Sequence, residues 1–293
     1  MDLEEGRESE NLEDRRGMSP KKLAVGGGIG ALVLMLIGLF LGVDPQKLNQ
    51  LVNQGQPGGG GQGQGQVEER PLTAEEQRSH KFYSMILSFT EDVWSEQFQK
   101  AGQQYEAPHM VLFSKEVETG CGAAPAEVGP FYCPADRTVY LDPTFFEELA
   151  QTLGGSKAEF SQAYVIAHEV GHHVQNLLGY SKLVDQKRRT LPKEEFNTWS
   201  VRLELQADYL AGVWAYHGQK KFHFIQAGDV EAAIQSARAI GDDRLQKRAR
   251  GFTSPENYTH GTSAQRVKWF RLGLQTGDLR RMKEIFEMPY DEL

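Results

Sequence analysis

His168 and His172 stand four residues apart, and Glu169 follows the first of them. Four residues is about one helical turn, so on a helix both imidazoles share a face and can reach one metal ion. Residues 163–179 read as that helix. Val165, Ile166, Val170, Val174 and Leu177 fall mostly three to five apart and form one apolar stripe, with Gly179 as a natural stop. Glu169 then lies beside the metal but off the ligand direction, where a general base toward an attacking water must stand. Small Gly171 leaves room for another segment to approach on the metal side. His173 is out of phase with the pair and reads as a structural histidine. The plain alternative is a helix with two surface histidines and a solvated glutamate.

A catalytic zinc needs three protein ligands and one open position. Residues 202–212, R-L-E-L-Q-A-D-Y-L-A-G, offer a second pair, Glu204 and Asp208, again one turn apart. They are flanked by Leu203, Leu205, Tyr209, Leu210, Val213 and Trp214, and two acids are costly to bury there unless a cation meets them. Glu204 is the expected third ligand, and Asp208 the expected acceptor for the free N–H of a ligating histidine; the reverse assignment is the alternative. Ala207, Ala211 and Gly212 suggest close helix packing at this point.

The elements that must position these residues follow from pattern and punctuation. Thr73 to Glu76 is a capping box opening an amphipathic helix through Phe82, Met85, Ile86, Phe89, Val93 and Phe98, ending near Gly102. Residues 109–113 and 138–141 are strand candidates, and the turn-rich stretch from Gly120 to Asp142 lies between them. Asp142-Pro143 looks like a cap with proline in the first turn, opening a helix to about Leu153. Gly154-Gly155 breaks it before the metal helix starts near Lys157. Residues 180–191 read as charged and irregular, with room for one helical turn. Pro192 opens a long helix to about His217, stopped by Gly218, and Asp229 caps another. A polar loop, residues 253–262, leads into a last helix holding Val267, Trp269 and Phe270. The fold class is α+β, mainly α, with a small sheet and one domain over residues 71–293.

Ahead of that domain the composition changes. Residues 1–22 are polar, with Arg15, Arg16, Lys21 and Lys22 at their far end. Residues 23–43 carry no charge and are long enough for one transmembrane helix. Asp44-Pro45 follows instead of a small-residue cleavage site, so an uncleaved anchor is expected. The basic cluster places the N-terminus in the cytoplasm and the remainder outside. Residues 44–70 form a Gly/Gln-rich flexible tether. The net charge of -8 argues against a nucleic-acid partner. In an oxidising compartment Cys121 and Cys133 are expected to pair, a staple worth ~3 kcal/mol in the chain-entropy model.

H-E-x-x-H followed by E-x-x-A-D resembles the glutamate-zincin metallopeptidases. The wider set resembles the YpfJ-like family of bacterial neutral zinc metallopeptidases: the basic-flanked anchor, the Gly/Gln linker, C-G…G-P-F-Y-C-P-A-D, A-H-E-V-G-H-H-V-Q, E-L-Q-A-D-Y-L-A-G-V-W and H-G-T-S-A-Q-R. The resemblance covers nearly the whole chain. It implies a zincin-like fold and peptidase activity, with His168, His172 and Glu204 as ligands of Zn2+ and Glu169 as the catalytic base. It implies that His260 steadies the oxyanion, with Arg266 at the position of an assisting arginine. It also implies that substrate lies along an edge strand, for which residues 138–141 are the candidate. The expectation is a single-pass zinc metallopeptidase of the bacterial plasma membrane, N-terminus cytoplasmic and catalytic domain extracytoplasmic, acting on a peptide or protein substrate. The alternative is an envelope module on the same fold that binds zinc or protein without turnover.

Overall fold

The computed structural model describes residues 1–3, 6–17 and 70–293, arranged as a mainly helical α+β fold. In chain order the strands and helices are β1 (Leu12–Asp14), α1 (Ala74–Lys100), β2 (His109–Leu112), β3 (Glu116–Thr119), β4 (Gly122–Pro125), β5 (Phe131–Cys133) and β6 (Thr138–Leu141). They continue with α2 (Thr144–Glu148), α3 (Glu159–Leu177), α4 (Tyr180–Arg188), α5 (Lys193–Phe222), α6 (Asp229–Ala239), α7 (Asp242–Arg250), α8 (Ser263–Thr276) and α9 (Glu284–Glu287). One sheet has the order β1-β2-β6-β5, parallel except for β5, which runs antiparallel to β6. β3 and β4 make a separate hairpin.

Local chemistry accounts for most boundaries. Thr73 and Glu76 exchange their capping hydrogen bonds at the start of α1, as expected. The Asp142 carboxylate accepts from the Thr144 amide at 3.0 Å and opens α2, which passes into a π turn ending at Leu153. Thr262 and Gln265 form a second capping box at α8. The core fills the space between α1, α3 and α5, where Phe89, Phe160 and Trp214 each lie against Phe224. α3 and α5 approach so closely that a Cβ on Gly171 would stand 3.1 Å from the Ala207 carbonyl oxygen.

Several expectations need correction. The long helix does not stop at Gly218 but runs on to Phe222, and Gly218 leaves room for the Phe224 ring to pack over it. Residues 180–191 are not irregular, since α4 occupies most of them, and α7 was not anticipated at all. Residues 138–141 are not an edge: β6 is buried along its length and paired on both sides, and the edge strand is β5. The expected disulfide is present, joining Cys121 in the hairpin turn to Cys133 at the end of β5, with the Cα atoms 5.8 Å apart.

The N-terminal residues behave differently from a detached tail. β1 pairs in parallel with β2, Leu12 opposite Met110, at the far edge of the sheet. Arg16 and Asp14 form an ion pair at 2.5 Å with both side chains only 5% exposed, and Arg16 also donates to the Glu76 carbonyl and to Ser79. The Glu91 carboxylate accepts from Ser9, Asn11 and Arg7, and the α-ammonium of Met1 meets Asp229 at 3.2 Å. The Arg70 amide donates to the Gly17 carbonyl at 3.0 Å. Residues 1–17 thus pack against the elements of residues 70–293 through β1 and these hydrogen bonds and ion pairs. The apolar segment 23–43 and the Gly/Gln tether up to residue 69 lie outside the described residues. Among those described, no helix is long and apolar enough to cross a membrane.

Candidate metal centre

α3 and α5 bring the ligand candidates together. The Nε2 atoms of His168 and His172 lie 3.3 and 3.5 Å from the two carboxylate oxygens of Glu204, and one donor atom from each of the three residues falls within 4.8 Å of the others. Among the described residues this is the one such group of histidine, cysteine and acidic side chains. The other ring nitrogens point away and are occupied. His168 Nδ1 faces Asp208 at 2.9 Å, and His172 Nδ1 faces the Gln175 side-chain oxygen at 2.8 Å. Both partners accept, so each Nδ1 carries a proton, and each Nε2 is the nitrogen that a cation at the shared point would deprotonate and bind. Two imidazole nitrogens and a carboxylate, fixed in this way, are a donor set that fits a divalent zinc ion.

Asp208 is fully buried and accepts from Tyr164 Oη at 2.5 Å, from His168, and from Arg266 Nε at 2.8 Å. Burial would raise its pKa, but Arg266 and then His168 outweigh that and hold it down at about 2. Burial would likewise depress the His168 imidazole; Asp208 reverses this and lifts it to about 10. Glu204 is also held well below the usual carboxylate range, its burial outweighed mainly by His172 and His260. Glu169 moves the other way. Its buried carboxyl is pushed up by desolvation, an effect the two histidines oppose and Glu204 reinforces. Asp208 and Glu204 thus carry full negative charge, while Glu169 is the carboxylate made more basic.

The group opens onto a cleft of about 510 Å³, walled by residues 128–132, Phe145, Leu153, Leu203, Ile240 and Leu245, with Glu169, His260 and Arg266 also lining it. His260 belongs to a loop tied to Asp242, whose Oδ2 accepts from the amides of Thr259, His260 and Gly261. The capping role that a loop histidine could have played at α8 is taken by Thr262. Burial would lower the His260 pKa, but Glu204 and Asp242 reverse this and raise it.

His173 is buried away from the cluster. Its Nε2 donates to the Glu106 carbonyl at 2.7 Å, and burial lowers its pKa to about 4, so its Nδ1 accepts from Tyr132 Oη at 3.0 Å. Tyr164, Gln175 and Asp242 were not anticipated. The first two lie four before His168 and three after His172, on the same helical face, which is the signal that could have found them. Asp242 offered none, because it works through backbone amides distant in sequence.

A family model described as "Putative neutral zinc metallopeptidase" matches residues 1–284. The chain belongs to this family. YpfJ of Escherichia coli (strain K12), described as an uncharacterized protein, is 44% identical over 278 residues, 93% of this chain and 94% of that one. Rv2575 of Mycobacterium tuberculosis (strain H37Rv), described in the same way, is 48% identical over 183 residues, 59% of this chain and 61% of its own. No solved structure gives a significant match. The family match takes in β1 as well as the metal helices.

Proposed function

We propose that the protein is a zinc-dependent peptidase of zincin type, hydrolysing peptide bonds in the cleft beside α3. The observation that carries this is the convergence of His168, His172 and Glu204 on one point, with the buried Glu169 carboxylate beside it and lining the same cleft. His168, His172 and Glu204 would hold the ion. Zinc, when bound, supplies a Lewis acid for the scissile carbonyl and lowers the pKa of water. Glu169 takes a proton from the attacking water and hands it to the departing amine nitrogen. His260, on its braced loop across the cleft, donates toward the oxygen on which negative charge develops. Asp208 and Gln175 hold the two imidazoles in the ligating tautomer, and Arg266 balances the Asp208 charge.

The disulfide and the charge-free segment 23–43 support an enzyme held at the extracytoplasmic face of the bacterial plasma membrane. A single crossing with a cytoplasmic N-terminus would require residues 1–17 to leave the domain they pack on. Full-length protein incubated with a peptide library should give discrete cleavage products that a chelator abolishes and added zinc restores. Intact zinc binding without cleavage of any peptide would favour the non-catalytic module.

A further inference from the structure

The chain is acidic overall, with a formal net charge of -8, yet α7 gathers cations on one side. Arg244, Lys247 and Arg248 stand three and four residues apart along the helix and so share a face. All three are exposed, and with Leu153, Leu245 and Thr253 they line a groove of about 550 Å³. None of the three makes an ion pair among the described residues. Asp243, the acid of the same groove, is already engaged: its Oδ1 accepts from the Ser263 amide at 2.7 Å and from the Ser263 hydroxyl at 2.8 Å. The groove therefore presents positive charge that the protein itself leaves unmatched.

Its place in the fold joins it to the metal cleft, since Leu153 and Leu245 line both. The first turn of α7 is fastened to the loop that bears His260. There Asp242 accepts from three loop amides, and its own amide donates to the Gly261 carbonyl at 2.9 Å. Arg244 reaches across to the turn at Gly154, its Nη2 3.6 Å from where a Cβ on that glycine would stand. The residue that braces His260 thus also fixes where the cations stand beside the cleft.

We propose that this groove is a subsite for acidic side chains: a peptide lying in the metal cleft continues past Leu245 and sets an aspartate or glutamate against Arg244, Lys247 and Arg248. This rests on the peptidase reading and adds a substrate class, peptides with acidic residues to one side of the scissile bond. Guanidinium groups suit that task because they meet a carboxylate through two N–H donors at once. Phe252, 62% exposed just beyond α7, would fit a contact with anionic lipid instead. A concave groove sharing its wall with the metal cleft favours the peptide.

The test uses full-length Glu169→Gln protein, so that peptide is bound and not consumed, with and without Arg244→Gln, Lys247→Gln and Arg248→Gln together. Two fluorescent decapeptides share a central sequence and carry either glutamate or glutamine on both flanks. The glutamate peptide should bind about tenfold more tightly, and the triple substitution should remove most of that preference. High salt should remove it too, because exposed charges are screened. Equal affinities for the two peptides would overturn the proposal. So would a preference that survives the triple substitution while the melting temperature falls, which would leave the cations to balance the helix dipole. The lipid contact would show as equal peptide affinities together with Lys247 shielded from amine labelling in phosphatidylglycerol vesicles but not in phosphatidylcholine vesicles, and it too overturns the subsite. Failure of the peptidase reading shows elsewhere, as wild-type protein that prefers the glutamate peptide and leaves it intact.

Discussion

Glu204 and Asp208 are one turn apart and chemically alike, yet their neighbours give them different work. Glu204 meets two Nε2 atoms, while Asp208 meets an arginine, a tyrosine and one Nδ1. Glu204→Ala should accordingly lose most of the bound zinc, whereas Asp208→Asn should keep a site weakened by about 10–100-fold. Metal titration of both variants decides; full zinc in Glu204→Ala with loss in Asp208→Asn would reverse the roles. These acids were readable from the sequence because burial of charge at helical spacing has few explanations. Tyr164 and Gln175 were not, since a tyrosine or glutamine on a helix face has many. Tyr132 was harder still, as its link to His173 spans a large separation and exists only after folding.

At the scale of elements, the centre depends on how α5 seats α8, which carries Arg266. A Cβ on Gly212 would stand 2.2 Å from the Phe270 carbonyl oxygen, and one on Gly273 2.1 Å from that of Tyr209, so the two backbones touch at paired glycines. Gly212→Ala must separate the helices, at a cost of about 1–3 kcal/mol, and should loosen zinc along with the fold. Thermal melting and metal affinity on the one variant check this, and a wild-type melting temperature would contradict it. Helices with capping boxes and apolar periodicity were placed well by sequence. α7, D-D-R-L-Q-K-R-A-R, escaped notice because it has a single large apolar residue. The edge identity of β5 escaped because strand order is set by long-range pairing, which periodicity does not encode.

The whole molecule poses the question of sidedness. Arg15 and Arg16 read as charges that hold the N-terminus in the cytoplasm, but in the fold they pair with Glu13 and Asp14 beside β2. One crossing by residues 23–43 would put residues 1–17 and 70–293 on opposite faces, so a docked β1 and a cytoplasmic N-terminus exclude each other. Epitope tags before Met1 and after Leu293 should both be reached by protease from the same face of intact membranes. An N-terminal tag reached only after permeabilisation, with the C-terminal tag exposed, would show that β1 is not docked in the cell. The central claim, that this centre performs hydrolysis with Glu169 as its base, is tested most directly by one paired measurement. Zinc content and peptide turnover are determined on wild-type and Glu169→Gln protein purified side by side. The expected result is equal zinc, about one per chain, with turnover lower by about 10²–10⁴ in the variant. Undiminished turnover in zinc-loaded Glu169→Gln would contradict it.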